Sequence, residues 1–187
     1  MRKFLLLFAL LPFTLAAFAA PPDPAPDWRA ELDRIVPLMG HRNWILVVDS
    51  AYPLQTGPGI ETIETNENQI DVVRHVLRAV DHSIHVRPVI YMDSELPFVP
   101  DADAPGASDY RNEIIPLLRP YTIQSMPHDR MIATVAATAQ QFHILILKTN
   151  MTIPYSSVFI RLDCKYWSDD AEKRLRSSMA ASSRSPH

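Results

Sequence analysis

Hydrophobic and polar positions divide the chain into alternating helical and extended stretches. Leu32, Ile35, Val36 and Met39 recur at i, i+3, i+4 and i+7, which predicts one apolar helix face, and Asp27 is placed to cap that helix. Trp44 to Val48 is apolar without alternation, as expected for a strand covered on both faces. Ile60 to Thr65 alternates apolar and polar and reads as a short edge strand. Asn66 or Asn68 then opens a helix whose core face is Ile70, Val73, Val76, Leu77 and Val80. Val86 to Tyr91 predicts a second buried strand, ending at Met92-Asp93. A long acidic loop leads to a short helix over Tyr110 to Leu118 and a strand over Tyr121 to Ser125. Met126-Pro127-His128-Asp129 starts an Ala-rich helix expected over Arg130 to Gln141. Phe142 to Leu147 is the third strongly apolar strand, Val158 to Leu162 the last, and Asp169 to Met179 an amphipathic helix.

Strands alternating with helices predict an α/β fold, a mostly parallel sheet with helices on its faces. In such sheets ligands bind beyond the carboxyl ends of strands. Asp49, Asp93 and the Thr149 to Tyr155 loop all fall at or after such ends.

Composition changes this picture in few places. A length of 187 residues, 47% hydrophobic, suits one globular domain. A net charge of −3 carries no basic nucleic-acid footprint. No GxGxxG follows the first strand and no GxxxxGK[ST] occurs, so dinucleotide or triphosphate chemistry is not indicated. Only 4 glycines stand against 17 prolines. All four glycines are expected at turns, with Gly40 stopping the first helix.

The N-terminus has the pattern of a secretory signal peptide over residues 1–19: basic Arg2 and Lys3, an apolar run from Phe4 to Phe18, and a small-x-small site at Ala17-Phe18-Ala19. The expected organisation is that leader, a Pro-rich segment over 20–27, an α/β domain over 28–168, and a C-terminal helix with a frayed tail over 169–187. The expectation is therefore export to a periplasmic or secreted location, with no membrane partner after cleavage. Losing Arg2 and Lys3 takes the charge from −3 to −5. The single cysteine, Cys164, forms no intramolecular disulfide and is expected as a small buried hydrophobe.

The chemistry gathers around one stretch, Gly40-His41 through Asp49 to Pro53. It reads as a helix end, a turn with a titratable imidazole, a buried strand, then a carboxylate. Gly40-His41, Asp49 eight residues on, and Pro53 four after that resemble the N-terminal motif of the ribose pyranase and fucose mutarotase (RbsD/FucU) family. Tyr155-Ser156-Ser157 before Val158-Phe159-Ile160 resembles the family's Tyr-x-Asn ahead of its last strand, with Ser157 in place of the Asn. The resemblance covers about Leu32 to Asp163. It implies a cofactor-free, metal-free interconversion of sugar ring forms, in a homo-oligomer with sites near subunit interfaces. It implies His41 as acid/base, and Asp49, Tyr155, Ser156 and Ser157 as substrate contacts. The family's further basic residue at a helix start falls on His128 or Arg130.

Ring opening of a hemiacetal takes a proton from the anomeric hydroxyl and gives one to the ring oxygen, which an imidazole titrating near neutrality performs. The plainer readings are a helix-capping His41, a turn Asp49, a rim Tyr155 and a helix-start His128. His82 and His85 share a His-x-x-His spacing, expected as solvated loop rather than metal ligands. A non-catalytic carbohydrate- or partner-binding protein on the same fold is the alternative function.

Overall fold

Trp44–Val48 forms strand β1 at the middle of a six-stranded sheet, and every one of its residues is buried. The computed structural model describes residues 27–182. The expected leader, nearly all of the Pro-rich segment and the end of the tail lie outside the described residues.

In chain order the elements are α1 (Trp28–Ile35), β1, β2 (Ile60–Glu64), α2 (Gln69–His82), β3 (Val86–Asp93), α3 (Ala107–Leu118), β4 (Thr122–Met126), α4 (His128–Thr138), β5 (Ile144–Lys148), β6 (Val158–Cys164) and α5 (Asp169–Ser182). The strand order is β2-β5-β1-β6-β3-β4. The fold is α/β with a mostly parallel sheet, as the sequence predicts. β1 pairs β5, β2 pairs β5 and β3 pairs β4 in parallel, while β6 runs antiparallel to both β1 and β3. Five strands therefore end at one edge of the sheet, and β6 alone begins there. Only a nine-residue connection separates β5 from β6. That is too short for a parallel crossover, so the chain must return antiparallel.

Successive residues along the strands bury themselves on opposite faces. Ile45, Val47, Ile160 and Ile90 pack with α1, α2 and α3 residues such as Leu32, Val73, Val76 and Ile114. Leu46, Val48, Phe159 and Tyr91 pack with Met131 and Val135 of α4. Burial of both faces explains why β1 and β5 lack polar alternation. The half-exposed β2 and the exposed β4 close the two margins.

Several local expectations change. Asp27 caps α1 as predicted, accepting from the Arg29 N–H at 3.0 Å, but the α-helix ends at Ile35. Val36–Leu38 tightens to a 3₁₀ turn because Pro37 has no N–H and restricts the residue before it. Gly40 is thus not a left-handed helix stop, and the positive φ of that turn is taken by Arg42 at 76°. Cys164 is half-buried rather than buried, since it ends β6 at the sheet margin opposite Val86. The two histidines near the end of α2 are bonded. His82 Nδ1 donates to Arg78 O, and His85 Nε2 donates to Met39 O at 2.8 Å while Ser83 Oγ donates to its Nδ1. The α5 helix forms as predicted, yet none of its residues is buried.

The glycines separate into free and required positions. A Cβ on Gly40 meets nothing within 4 Å, whereas one on Gly59 collides with the backbone carbonyl of Phe142 and lies 2.7 Å from that of Ala139. Urea unfolding should place Gly40→Ala within about 0.5 kcal/mol of the parent and Gly59→Ala about 2–3 kcal/mol below it.

Candidate functional site

The sheet edge where β1 and β3 end holds a cleft of about 380 Å³, lined by Asp49, Tyr52, His128, Thr152, Pro154 and Tyr155 among others. Its construction follows from the strand order. β6 is inserted between β1 and β3, with Val158 opposite both Val47 and Met92. The Tyr155–Ser157 turn that feeds β6 is thereby delivered between Asp49 and Asp93.

Asp49 follows β1 and is held by two protein donors. The Ala51 N–H donates to Oδ1 at 3.0 Å and Ser157 Oγ donates to Oδ2 at 3.0 Å. Ser156 and Ser157 are both fully buried. Ser156 Oγ donates to Ile153 O at 2.7 Å, and its own carbonyl accepts from Tyr110 Oη and Gln69 Nε2, each at 2.5 Å. These serines therefore reach the cleft through the groups they position. Tyr155 sits just before them at φ 60°, a left-handed conformation that is unfavourable for a bulky residue. Its ring meets the His128 ring edge-on, with centroids 5.4 Å apart.

His128 is the first residue of α4. Its backbone N–H donates to the Glu95 carboxylate at 3.0 and 3.2 Å, which satisfies an otherwise unpaired helix-start donor. Its Nδ1 donates to Asp93 Oδ2 at 2.9 Å. The Asp93 side chain has no solvent exposure, and its Oδ1 has no hydrogen-bond partner. Burial pushes the Asp93 carboxyl up to about 6, against the opposing pull of the His128 hydrogen bond. A carboxylate on Nδ1 fixes the imidazole tautomer and leaves Nε2 without a protein partner among the described residues. Tyr52 lies beneath the cleft, buried, with its hydroxyl raised well above the ordinary phenol range by desolvation.

Asp49, His128 and Tyr155 thus meet at one cleft, and Ser156 and Ser157 support it. Arg130 stands exposed on the first turn of α4 and does not line the cleft. His41 is exposed in the turn before β1, at the opposite end of the sheet, beside the Arg42 N–H that donates to Leu162 O. The strand between His41 and Asp49 alone spans about 15 Å, so the two do not meet within one protomer. Asp93 and Glu95 are the residues that sequence reasoning left without a role. The available signal was an acidic residue closing an apolar strand. Its meaning depends on the β3–β4 register, which pairs Asp93 with Met126, two residues before His128. Among the described residues no group of three or more His, Cys, Asp or Glu side chains is placed to hold a metal ion.

No family model matches the chain, and no curated protein matches it. Solved structures do. Bacillus subtilis RbsD complexed with D-ribose superposes with a TM-score of 0.52 at 13% identity, over 71% of this chain and 90% of that chain. The fold is that of RbsD. The fucose mutarotase from Streptococcus pneumoniae, solved in complex with L-fucose, aligns at 19% identity over 70% of this chain and 89% of that chain, with a TM-score of 0.47. FucU from Bifidobacterium longum aligns at 13% identity over 70% of this chain and 90% of that chain, with a TM-score of 0.48. At these identities the likeness to RbsD is one of fold. The cleft of this RbsD-like sheet has to be read from its own side chains. Three carboxylates, Asp49, Asp93 and Glu95, stand around one imidazole, and among the described residues no Lys or Arg lines the cleft.

Proposed function

We propose that this protein is an exported, cofactor-free isomerase of monosaccharide ring forms, a pyranase or mutarotase. The observation that carries the proposal is the His128 imidazole, anchored on Nδ1 by buried Asp93 and standing in an acidic cleft opposite Asp49. The reaction needs only proton transfers. His128 Nε2 takes the proton of the anomeric hydroxyl, the ring C–O bond breaks as the carbonyl forms, and the ring oxygen takes a proton from a second group acting as acid. Closure on the other face gives the other anomer, and closure through a different hydroxyl gives the other ring size. Asp49, already held by two donors, accepts sugar hydroxyls with its remaining lone pairs. Tyr155 offers its ring to the apolar face of the sugar. A cleft rich in carboxylates and without a cation selects an uncharged sugar over a phosphorylated one.

Opening uses one base and one acid. His41 supplies the second group only when another copy of the chain brings its turn to the cleft. A homo-oligomer with shared sites is therefore part of this proposal.

The test is NMR exchange spectroscopy of the mature protein with a panel of aldoses that includes ribose and fucose. Accelerated exchange of one sugar is the expected result. A second reading, a carbohydrate-binding protein without catalysis, draws on Ser157, whose hydroxyl is engaged by Asp49. Line broadening or transferred signals without exchange would establish that reading in place of the first. Neither effect with any sugar would leave the fold without this function.

A further inference from the structure

A second cavity of about 290 Å³ adjoins the cleft, and the two share Pro154 and Tyr155 as a common wall. Its other boundaries include Phe98 and Pro100, with Glu95 and Asp103 at its polar margin. Phe98 ends the 3₁₀ turn after β3 and stands 84% exposed on the wall of this cavity, across from Tyr155. Asp103 makes no side-chain hydrogen bond or ion pair among the described residues. Tyr155 stands on the ridge between the cavities, 38% exposed. Its φ of 60° is a strained conformation, held by the buried Ser156 bonds to Tyr110 and Gln69. The strain places one aromatic ring against His128 on one side and the second cavity on the other.

Resting on the proposed isomerase function, we propose that the second cavity is a subsite for another sugar residue, so that the monosaccharide ring interconverted at His128 is the reducing residue of an uncharged disaccharide or longer oligosaccharide. The chemistry sets the orientation. Ring opening needs a free anomeric hydroxyl, so the reducing residue occupies the His128 cleft. The second residue is attached through one of the reducing residue's other oxygens and lies across Tyr155 toward Phe98. The two aromatic rings receive the apolar C–H faces of that residue. Glu95 and Asp103 accept its hydroxyls. Among the described residues no Lys or Arg lines either cavity, and the two cations beside them are engaged by backbone carbonyls, Lys148 by Tyr52 and Arg111 by Leu96 and Val99, which fits a ligand of hydroxyl groups.

Binding by calorimetry and exchange by NMR test this on the full mature chain. The probes are ribose and fucose alone, and the pairs glucose with cellobiose and lactose, xylose with xylobiose, and galactose with galactobiose. In the pair that responds, the disaccharide should bind about tenfold tighter than its own reducing aldose. In Phe98→Ala that ratio should fall to about one. Because Phe98 is exposed, its melting temperature serves as the folding control. Aldoses that bind or exchange while no disaccharide binds more tightly overturn the subsite and leave the isomerase proposal standing. A tenfold preference that Phe98→Ala leaves untouched overturns the subsite in the same way. No binding or exchange by any probe overturns both.

Discussion

His128→Ala should reduce sugar ring exchange about 10²–10⁴-fold, the usual contribution of a positioned acid/base. Among the described residues the side chain is the only imidazole lining the cleft, and its Nδ1 bond to Asp93 holds it there. Truncation spares the helix start, because Glu95 bonds the backbone N–H of His128 and not its ring. It does remove the one partner of a buried carboxylate, at a cost of about 1–3 kcal/mol in stability. His128→Gln keeps a donor near Asp93 and separates catalysis from folding: it should melt close to the parent and exchange as slowly as His128→Ala. His41→Ala gives the companion result. His41 is exposed at the far end of β1, so its loss leaves the fold intact. If a neighbouring copy shares it with the cleft, exchange falls strongly, and co-assembly with His128→Ala protomers restores part of it. Exchange rates with melting curves, on each variant and on the mixture, decide the matter. Full activity of His128→Gln would remove the imidazole from the mechanism.

Asp93→Asn should lower exchange by a similar factor, about 10²–10⁴-fold, and at the same time stabilise the fold above pH 6. The activity loss follows from tautomer control. The carboxylate accepts only, so Nδ1 must carry the proton and Nε2 is free as a base. An amide can donate to Nδ1 and leave Nε2 protonated, which has a large effect in other imidazole–carboxylate pairs. The stability gain follows from linkage. The buried Asp93 carboxyl titrates at about 6 against an ordinary value of 3.8. A raised acid of this kind contributes its stability in full below about pH 3.8 and loses it as pH rises through about 6. The charged form at neutral pH is thus a burden on the folded state. Replacing it with a neutral amide should relieve about 1–2 kcal/mol at pH 8, after allowance for an amide nitrogen left without a partner at the orphaned Oδ1 position. The two effects share one pH signature. Parent exchange should rise with pH through about 6 as Asp93 ionises, and the variant should show no such rise. Denaturant unfolding at pH 4 and pH 8 and an exchange profile from pH 4.5 to 8 measure both. A variant less stable at pH 8 than at pH 4, relative to the parent, would reverse the assignment of the burden to Asp93.

Much of this site was legible along the chain. Asp49 and Tyr155 could be placed at strand ends from periodicity and the Gly40-His41 and Tyr155-Ser156-Ser157 motifs. His128 could be placed at a helix start from the Pro127 that precedes it. The serines could be placed beside the site, but not turned inward, because burial of a short hydroxyl depends on what lies above it. Here that is Gln69, Tyr110 and Ile153 from distant parts of the chain. His128 and Arg130 were both candidates by sequence, with His128 favoured for its place at the helix entry. They part because residues two apart on a helix point in different directions, and only His128 faces Asp93.

The sequence by itself determined the succession of strands and helices, the burial of β1, β3 and β5, and the accumulation of polar residues at strand ends. Those properties are encoded locally, in the period of apolar positions and in the residues that cap or break each element. Strand order was decided only by the tertiary structure. Nothing within Val158–Cys164 says that it passes over its neighbour in sequence, β5, to lie between β1 and β3. That choice is made by covering both faces of every central strand at once, a condition on the whole chain. It brings Tyr155 and Ser157 between Asp49 and Asp93, lets the β3–β4 register set Asp93 beside His128, and leaves His41 at the other end of the sheet.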